Sequence, residues 1–278
     1  MRKALARREF ESEEELQAEL DRLQAGGLPP ATANDPLAQA QEFIYAALDA
    51  PTRADRVRFA LKALETSADC ADAYVLLAEE AAESLEQECG LYRMGVEAGE
   101  RALGPEPFQG DVGYFWGLLE TRPYMRAREG LADTLWHLGR EADALQHYRE
   151  MLRLNPNDNQ GIRYRLLGCL VETGLLAAAG DLFEKYPGDA SGGWAYTGAL
   201  VRYLLEGESA RARTAFRRAL KKNRHIPAYL TGERRVPEYL PEFVGFGDED
   251  EAVAYAAEFG HLWAGAPGAV GWLAAMTA

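Results

Sequence analysis

The stretch Met125–Pro156 reads MRAREGLADTLWHLGREADALQHYREMLRLNP and decides the fold. Apolar residues recur at helical spacing up to Leu138, stop at Gly139, and resume through Ala144, Leu145, Tyr148, Met151 and Leu152. Asn155-Pro156 ends the second run, since the residue before a proline is pushed out of the helical region. The stretch is a helix–turn–helix with a small apolar face. It cannot bury that face alone and needs similar neighbours stacked against it.

The neighbours can be counted. The packing positions of a tetratricopeptide unit are large at 4, apolar at 7, small at 8, bulky at 11, small at 20, aromatic at 24, small at 27 and proline at 32. Small residues stand where helix backbones approach, and large ones fill the gaps. Numbered from Met125, the positions are met by Leu131, Ala132, Leu135, Ala144, Tyr148 and Pro156, while Arg128 and Met151 miss. From Gln160, Leu166, Leu170, Gly174, Ala179 and Phe183 fit, until Tyr186-Pro187-Gly188 cuts the unit short. From Gly193, Tyr196, Tyr203, Gly207, Ala212, Phe216 and Ala219 fit, and Asn223 closes the helix. Three adjacent units with turn glycines Gly139, Gly174 and Gly207 predict an all-α, tetratricopeptide-like, right-handed helical solenoid.

Upstream, helices follow with few pauses. Leu37, Ala40, Phe43, Ile44, Ala47 and Leu48 keep helical spacing, Pro51 breaks it, and Arg53–Ser67 resumes it. The next run, ADCADAYVLLAEEAAESLEQ, is expected to end at Gly90, with a further helix over Tyr92–Leu103. Gly104–Gly113 reads as a loop, and Pro123 suits the first turn of the helix after it. At the start, SEEELQAELDRLQA (residues 12–25) carries Ser12 and Glu15 as a capping box and a narrow Leu16, Leu20, Leu23 stripe, then a Gly/Pro linker runs to Pro36. Residues 1–35 are therefore read as an N-terminal helix and linker, and 36–278 as the repeat domain, regular over 125–224 and capped over 225–278. In the cap, HIPAYLTGERRVPEYLPEFVGFG is rich in Pro, Gly and aromatics. It precedes a helix begun by Asp248 with Glu251 three residues on, and the short apolar GAVGWLAAM closes the last face.

Composition narrows the function classes. Lys+Arg number 30 against Asp+Glu 44, a net charge of −14 in 278 residues. Such a chain repels phosphate backbones, so no nucleic-acid partner is expected. Cys70, Cys89 and Cys169 form no CxxC pair and an odd count, which reads as small core residues in a reducing compartment. MRKALARREFESEEELQ has charge but no following apolar run, so no secretory signal is expected. No segment approaches the roughly 20 apolar residues of a membrane span. The expectation is a cytoplasmic protein without a membrane partner.

The later residues carry a resemblance. RALKKNRHIPAYL (Arg218–Leu230), VPEYLP (Val236–Pro241), GDEDEAVAYA (Gly247–Ala256), Trp263 and GAVGWL (Gly268–Leu273) resemble the C-terminal region of the suppression-of-tumorigenicity-seven family. GREADALQHYREMLRLNP resembles the repeat segment preceding that region. The likeness spans about Tyr114 to Leu273. It implies a helical, tetratricopeptide-like fold with no catalytic activity to carry over. Animal members have membrane segments, and this chain looks like a soluble bacterial-type relative.

The candidate site lies on the first helix of each unit. Positions 2, 5, 9 and 12 point into the concave groove, which sets Arg126, Glu129, Asp133 and Trp136 beside Gly161, Tyr164, Gly168 and Val171. With Asn159 and Arg163, the residues Arg126, Glu129, Asp133, Trp136 and Tyr164 offer the arginine and aromatic contacts that peptide grooves use. The same residues could instead form an intramolecular Arg–Glu network that sets the angle between units. The Lys and Asn of a carboxylate clamp are replaced by Glu129 and Asp133, which suits a basic or amide-rich ligand. The basic run Arg211, Arg213, Arg217, Arg218, Lys221, Lys222 and Arg224 reads as a solvated face. His137, His147, His225 and His261 show no zinc spacing, and no metal, cofactor or catalytic residue is assigned.

The expected function is a protein–protein interaction or scaffolding module holding a peptide or partner helix in the groove. The alternative is an enzyme or small-ligand sensor with its site between repeats and cap, using Glu120, Arg122, Tyr124 and Arg163. A third reading is self-assembly through an apolar tail bearing Trp263, Trp272 and Leu273.

Overall fold

A computed structural model describes residues 35–277. The expected helix over 12–25 and nearly all of the linker lie outside them. Among the described residues there are helices and no strands. They group into two compact units, one ending at Gln160 and the other beginning at Gly161.

The first unit holds three antiparallel helix pairs. They are α1 (Pro36–Leu48) with α2 (Arg53–Thr66), α3 (Ala71–Ala81) with α4 (Leu85–Leu103), and α6 (Arg122–His137) with α7 (Glu141–Leu154). A single turn, α5 (Pro107–Gly110), and two short 3-10 turns connect the second pair to the third. Asp35 caps α1, Thr52 caps α2 and Ser84 caps α4 through their side-chain oxygens. The break after α3 falls at 82–84 and not at Gly90. Ser84 Oγ accepts from Gln87 N, and Gln87 Oε1 accepts from Glu83 N. Two satisfied amide donors there outweigh the modest helix penalty of Gly90, and α4 runs through it.

The second unit holds α8 (Ile162–Glu172) with α9 (Leu176–Lys185), α10 (Gly192–Glu206) with α11 (Ala210–Lys222), and then the cap. The cap is α12 (Ile226–Leu230), the irregular stretch to Gly247, α13 (Glu249–Gly265) and α14 (Ala269–Thr277). The turn glycines do what their position requires. Gly139, Gly174 and Gly207 have φ of 72°, 69° and 64°. At the first two, the amide of the next residue bonds back five residues, Arg140 N to Leu135 O and Leu175 N to Leu170 O, the helix-ending turn that favours glycine.

The packing positions are filled as expected. Leu131, Ala132, Leu135, Ala144 and Tyr148 are buried, as are Leu166, Leu170, Ala179, Tyr196, Ala212, Phe216 and Ala219. Met151, which missed the pattern, is also buried at 1% exposure. The fold is an all-α, tetratricopeptide-like helical solenoid. The tail is not a free apolar surface. Trp263, Trp272 and Leu273 are buried. Trp272 stacks on Tyr203 at 4.8 Å between ring centroids and meets Phe216 at 5.6 Å. Self-assembly through these residues is therefore corrected: their apolar area is spent inside the second unit.

Candidate functional site

In the first unit, three of the expected contacts bond other segments of this chain. Asp72, at the start of α3, is 5% exposed. Arg126 on α6 closes on it with two bonds, 2.9 Å from Nε and 2.6 Å from Nη2. Gln41 on α1 donates to the same carboxylate at 3.2 Å. One buried acid thus joins the first helices of all three pairs. Glu129 accepts from Gln160 at 2.9 Å, and Asp133 accepts from the Tyr148 hydroxyl. Trp136 is half-buried and Asn159 exposed.

In the second unit, Arg163 and Tyr164 act together on Asp189. Both donate to Asp189 Oδ2 at 2.8 Å, and the other oxygen accepts from Ser191 N at 2.8 Å. The Arg163 guanidinium lies 4.4 Å from the centre of the Tyr164 ring and 5.4 Å from that of Tyr186. An arginine that stacks and bonds at once is held rigidly. The Tyr164 hydroxyl is pushed up in pKa by burial first and by Asp189 second.

One face of α8 and α10 is covered by α13. Phe259 lies over Gly168, where a Cβ would come within 2.9 Å of its ring. Farther along, His261 bonds Glu172 at 2.7 Å. Tyr255 receives the Trp263 indole N–H at 2.9 Å and shares a hydrogen bond with Thr197 at 3.0 Å. Its hydroxyl is pushed up to about 12 by burial. Glu251 anchors the start of α13. It is 5% exposed and accepts from Ser191 Oγ at 2.9 Å, Gly192 N at 2.7 Å, Asn223 Nδ2 at 2.9 Å and Gly247 N at 2.8 Å. Asp248 caps α13 as expected, but Glu251 reaches out to α10 and α11 rather than only back along its own turn.

Between these helices remains a hollow of about 290 Å³. Its repeat side is Tyr164, Leu167, Trp194 and Thr197, and its cap side includes Phe246, Tyr255 and Phe259. The stretch beside it is unusually apolar for its exposure: Tyr239, Phe243 and Phe246 are 84%, 83% and 72% exposed. In the first unit, Tyr124 lines a different hollow, of about 460 Å³, with Arg128, Glu150 and Arg153 but without Glu120 or Arg122. Arg122 instead lies over the Trp116 ring. No group of three or more His, Cys, Asp or Glu among the described residues could hold a metal ion.

Several residues that matter here carried no motif: Asp72, Asp189, Trp194 and Phe259. Gly168 and the Gly192-Gly193 pair were the legible signal, since a side chain of bulk is missing where another helix comes close.

The arrangement has relatives. A family model described as ST7 protein matches residues 31–277. The chain belongs to the ST7 protein family. The match reaches well upstream of Tyr114, so the likeness includes the first helix pairs as well as the tail. Suppressor of tumorigenicity 7 protein-like of Rattus norvegicus is 29% identical over 229 residues, covering 74% of this chain and 40% of its own. Protein ST7 homolog of Drosophila melanogaster is 28% identical over 244 residues, covering 78% and 45%. The chain thus spans less than half the length of these family members. Among solved structures it is similar to YrrB, a TPR protein with an unusual peptide-binding site, with a TM-score of 0.47 and 17% identity over 73% of this chain and 91% of that one. No helix among the described residues is long and apolar enough to cross a membrane.

Proposed function

We propose that the chain is a protein-interaction module that holds an extended peptide or helix of a partner on the first helices of its repeats. The observation that carries this reading is the seat of α13. A helix lies on α8 and α10 over small residues, with Phe259 above Gly168. In the second unit this chain's own helix fills the seat. The partner therefore takes the corresponding face of α3 and α6 in the first unit, where Glu129, Asp133 and Trp136 stand. Arg126 supports that face through Asp72, and Tyr164, with Arg163 stacked on its ring, lines the hollow under α13.

A photo-crosslinking residue in place of Trp136, compared with one in place of the exposed Arg217, tests the reading in cells. A discrete protein adduct at 136 that is absent at 217 is expected. No adduct at 136, or the same set from both positions, removes the reading. The 290 Å³ hollow favours a second reading, an apolar small ligand under α13. Filling it by Thr197→Trp would then abolish ligand-induced thermal stabilisation without affecting the 136 adduct.

A further inference from the structure

We propose that the hollow lined by Tyr124 and Arg128 in the first unit binds a free amino acid with an apolar side chain, its carboxylate on Arg128 and its ammonium group on Glu100. The site does not rest on the interaction-module reading. Tyr124 and Arg128 stand one turn apart on α6, roughly 100° round the helix from Glu129 and Trp136.

Arg128 carries the proposal. It is half-buried, and no carboxylate among the described residues pairs with it. Its Nη1 donates to the Tyr124 hydroxyl, its guanidinium lies 5.5 Å from the centre of that ring, and its Nε is enclosed without an acceptor among the described residues. Glu150, which shares the hollow, is taken by Arg153, a donor to each of its oxygens at 2.7 Å. His147 also feels the Arg128 charge but brings no counter-charge, since burial first and that charge second keep its imidazole neutral. Of the five guanidinium donors, those on Nη2 remain for a ligand. A guanidinium shielded from water on one edge and given no counter-ion gains more from an incoming carboxylate than an exposed one does.

Glu100 supplies the opposite charge. α4 closes on α6 at Gly99, where a Cβ would lie 2.8 Å from the Cβ of Tyr124, and this approach brings the next residue, Glu100, to the hollow. Glu100 is exposed, has no ion-pair partner among the described residues and does not pair with Arg128. Yet both charges act on the Tyr124 hydroxyl, whose pKa burial pushes up, with Arg128 opposing and Glu100 adding. Two opposite charges that share one hollow without meeting are bridged by a zwitterion. A bare anion would be repelled by Glu100, and a bare cation by Arg128. Between them, Phe108 meets Tyr124 edge-on at 5.1 Å and lines the hollow with Pro105. That surface suits an apolar side chain. At about 460 Å³, the hollow falls within the range of small-molecule sites.

The test is calorimetric titration of the full chain with L-phenylalanine, with its N-acetyl derivative, which lacks the ammonium group, and with its methyl ester, which lacks the carboxylate. Phenylalanine is expected to bind at least about tenfold tighter than either capped compound. Glu100→Gln should weaken phenylalanine about tenfold and leave the N-acetyl derivative unchanged, whereas Glu141→Gln, elsewhere on the surface, should alter neither. Arg128→Gln should weaken phenylalanine and leave the methyl ester unchanged, with an unaltered circular dichroism spectrum. Should Arg128→Gln disturb the fold, the capped compounds and the exposed Glu100 still decide the matter. No saturable binding of phenylalanine in the millimolar range, equal binding of either capped compound, or equal binding of acetate, the mark of a bare anion site, would overturn the proposal. The adduct at position 136 is unaffected by any of these outcomes, so the interaction module stands or falls separately.

Discussion

Phe259 lies on Gly168: a Cβ added at 168 would stand 2.9 Å from the ring and force it to move. The contact couples α13 to α8, so the cap and the repeat it covers are expected to respond together. Gly168→Val should cost about 1–3 kcal/mol by overpacking. Adding Phe259→Ala to that variant should recover part of the loss by removing the clash. Urea denaturation of the two single variants and the double variant reads the coupling. Strictly additive effects would mean that α13 does not rest on Gly168.

Glu251 is the polar counterpart of that contact. Its two oxygens accept four hydrogen bonds, from Ser191, Gly192, Asn223 and Gly247. Glu251→Gln keeps the shape but turns one acceptor into a donor that faces donors. A loss of about 1–3 kcal/mol is expected. Limited proteolysis should then cut within 232–247, ahead of the loosened α13. A Glu251→Gln protein as stable and as protease-resistant as the parent would show that Glu251 does not anchor the cap.

The Arg126–Asp72 pair tests which role arginine plays in the first unit. Asp72 is nearly fully buried, while the Arg126 side chain is 41% exposed. Removing the arginine leaves a buried acid with Gln41 as its remaining side-chain donor among the described residues. Arg126→Ala should cost about 2–4 kcal/mol, below the upper range for a broken buried pair because solvent reaches the arginine. Asp72→Asn in the same chain should restore part of it. Chemical denaturation through the four-member cycle gives the coupling, and a value near zero would return Arg126 to the role of a free groove contact.

How far the sequence could carry these assignments follows from what each depends on. The helix pairs were legible because packing is periodic: Leu131, Leu135 and Tyr148 repeat at the spacing of buried faces, and Gly139 and Gly174 occupy turns whose φ is positive. The end of α3 was not, because Gly90 looked like a breaker and the competing signal was a cap made by Ser84 with Gln87. The site was legible only as a face. Periodicity placed Arg126, Glu129 and Asp133 on one side of α6, but their partners Asp72, Gln160 and Tyr148 lie on other segments. The cover over Gly168 could not be read at all, since it depends on where the chain returns 91 residues later at Phe259.

His147 supplies a pH dependence. Burial first, then the Arg128 charge, lower its pKa to about 4, with Asp143 opposing and Arg93 and Arg140 adding smaller effects. Its buried Nδ1 has no hydrogen-bond partner among the described residues. The unfolded chain binds a proton near pH 6.5, whereas the folded chain resists it until about pH 4. In that window the unfolded state carries more protons, so stability rises with pH and is lost on acidification. The loss between pH 7 and pH 4 from this group is on the order of 2 kcal/mol after allowing for partial solvent access. Carboxylates contribute below about pH 5, so the informative quantity is the difference from a His147→Gln variant, which cannot take up the proton. The parent should lose more stability than the variant between pH 6.5 and 4.5. Parallel stability curves for the two proteins across that window would show that His147 titrates alike in the folded and unfolded chains.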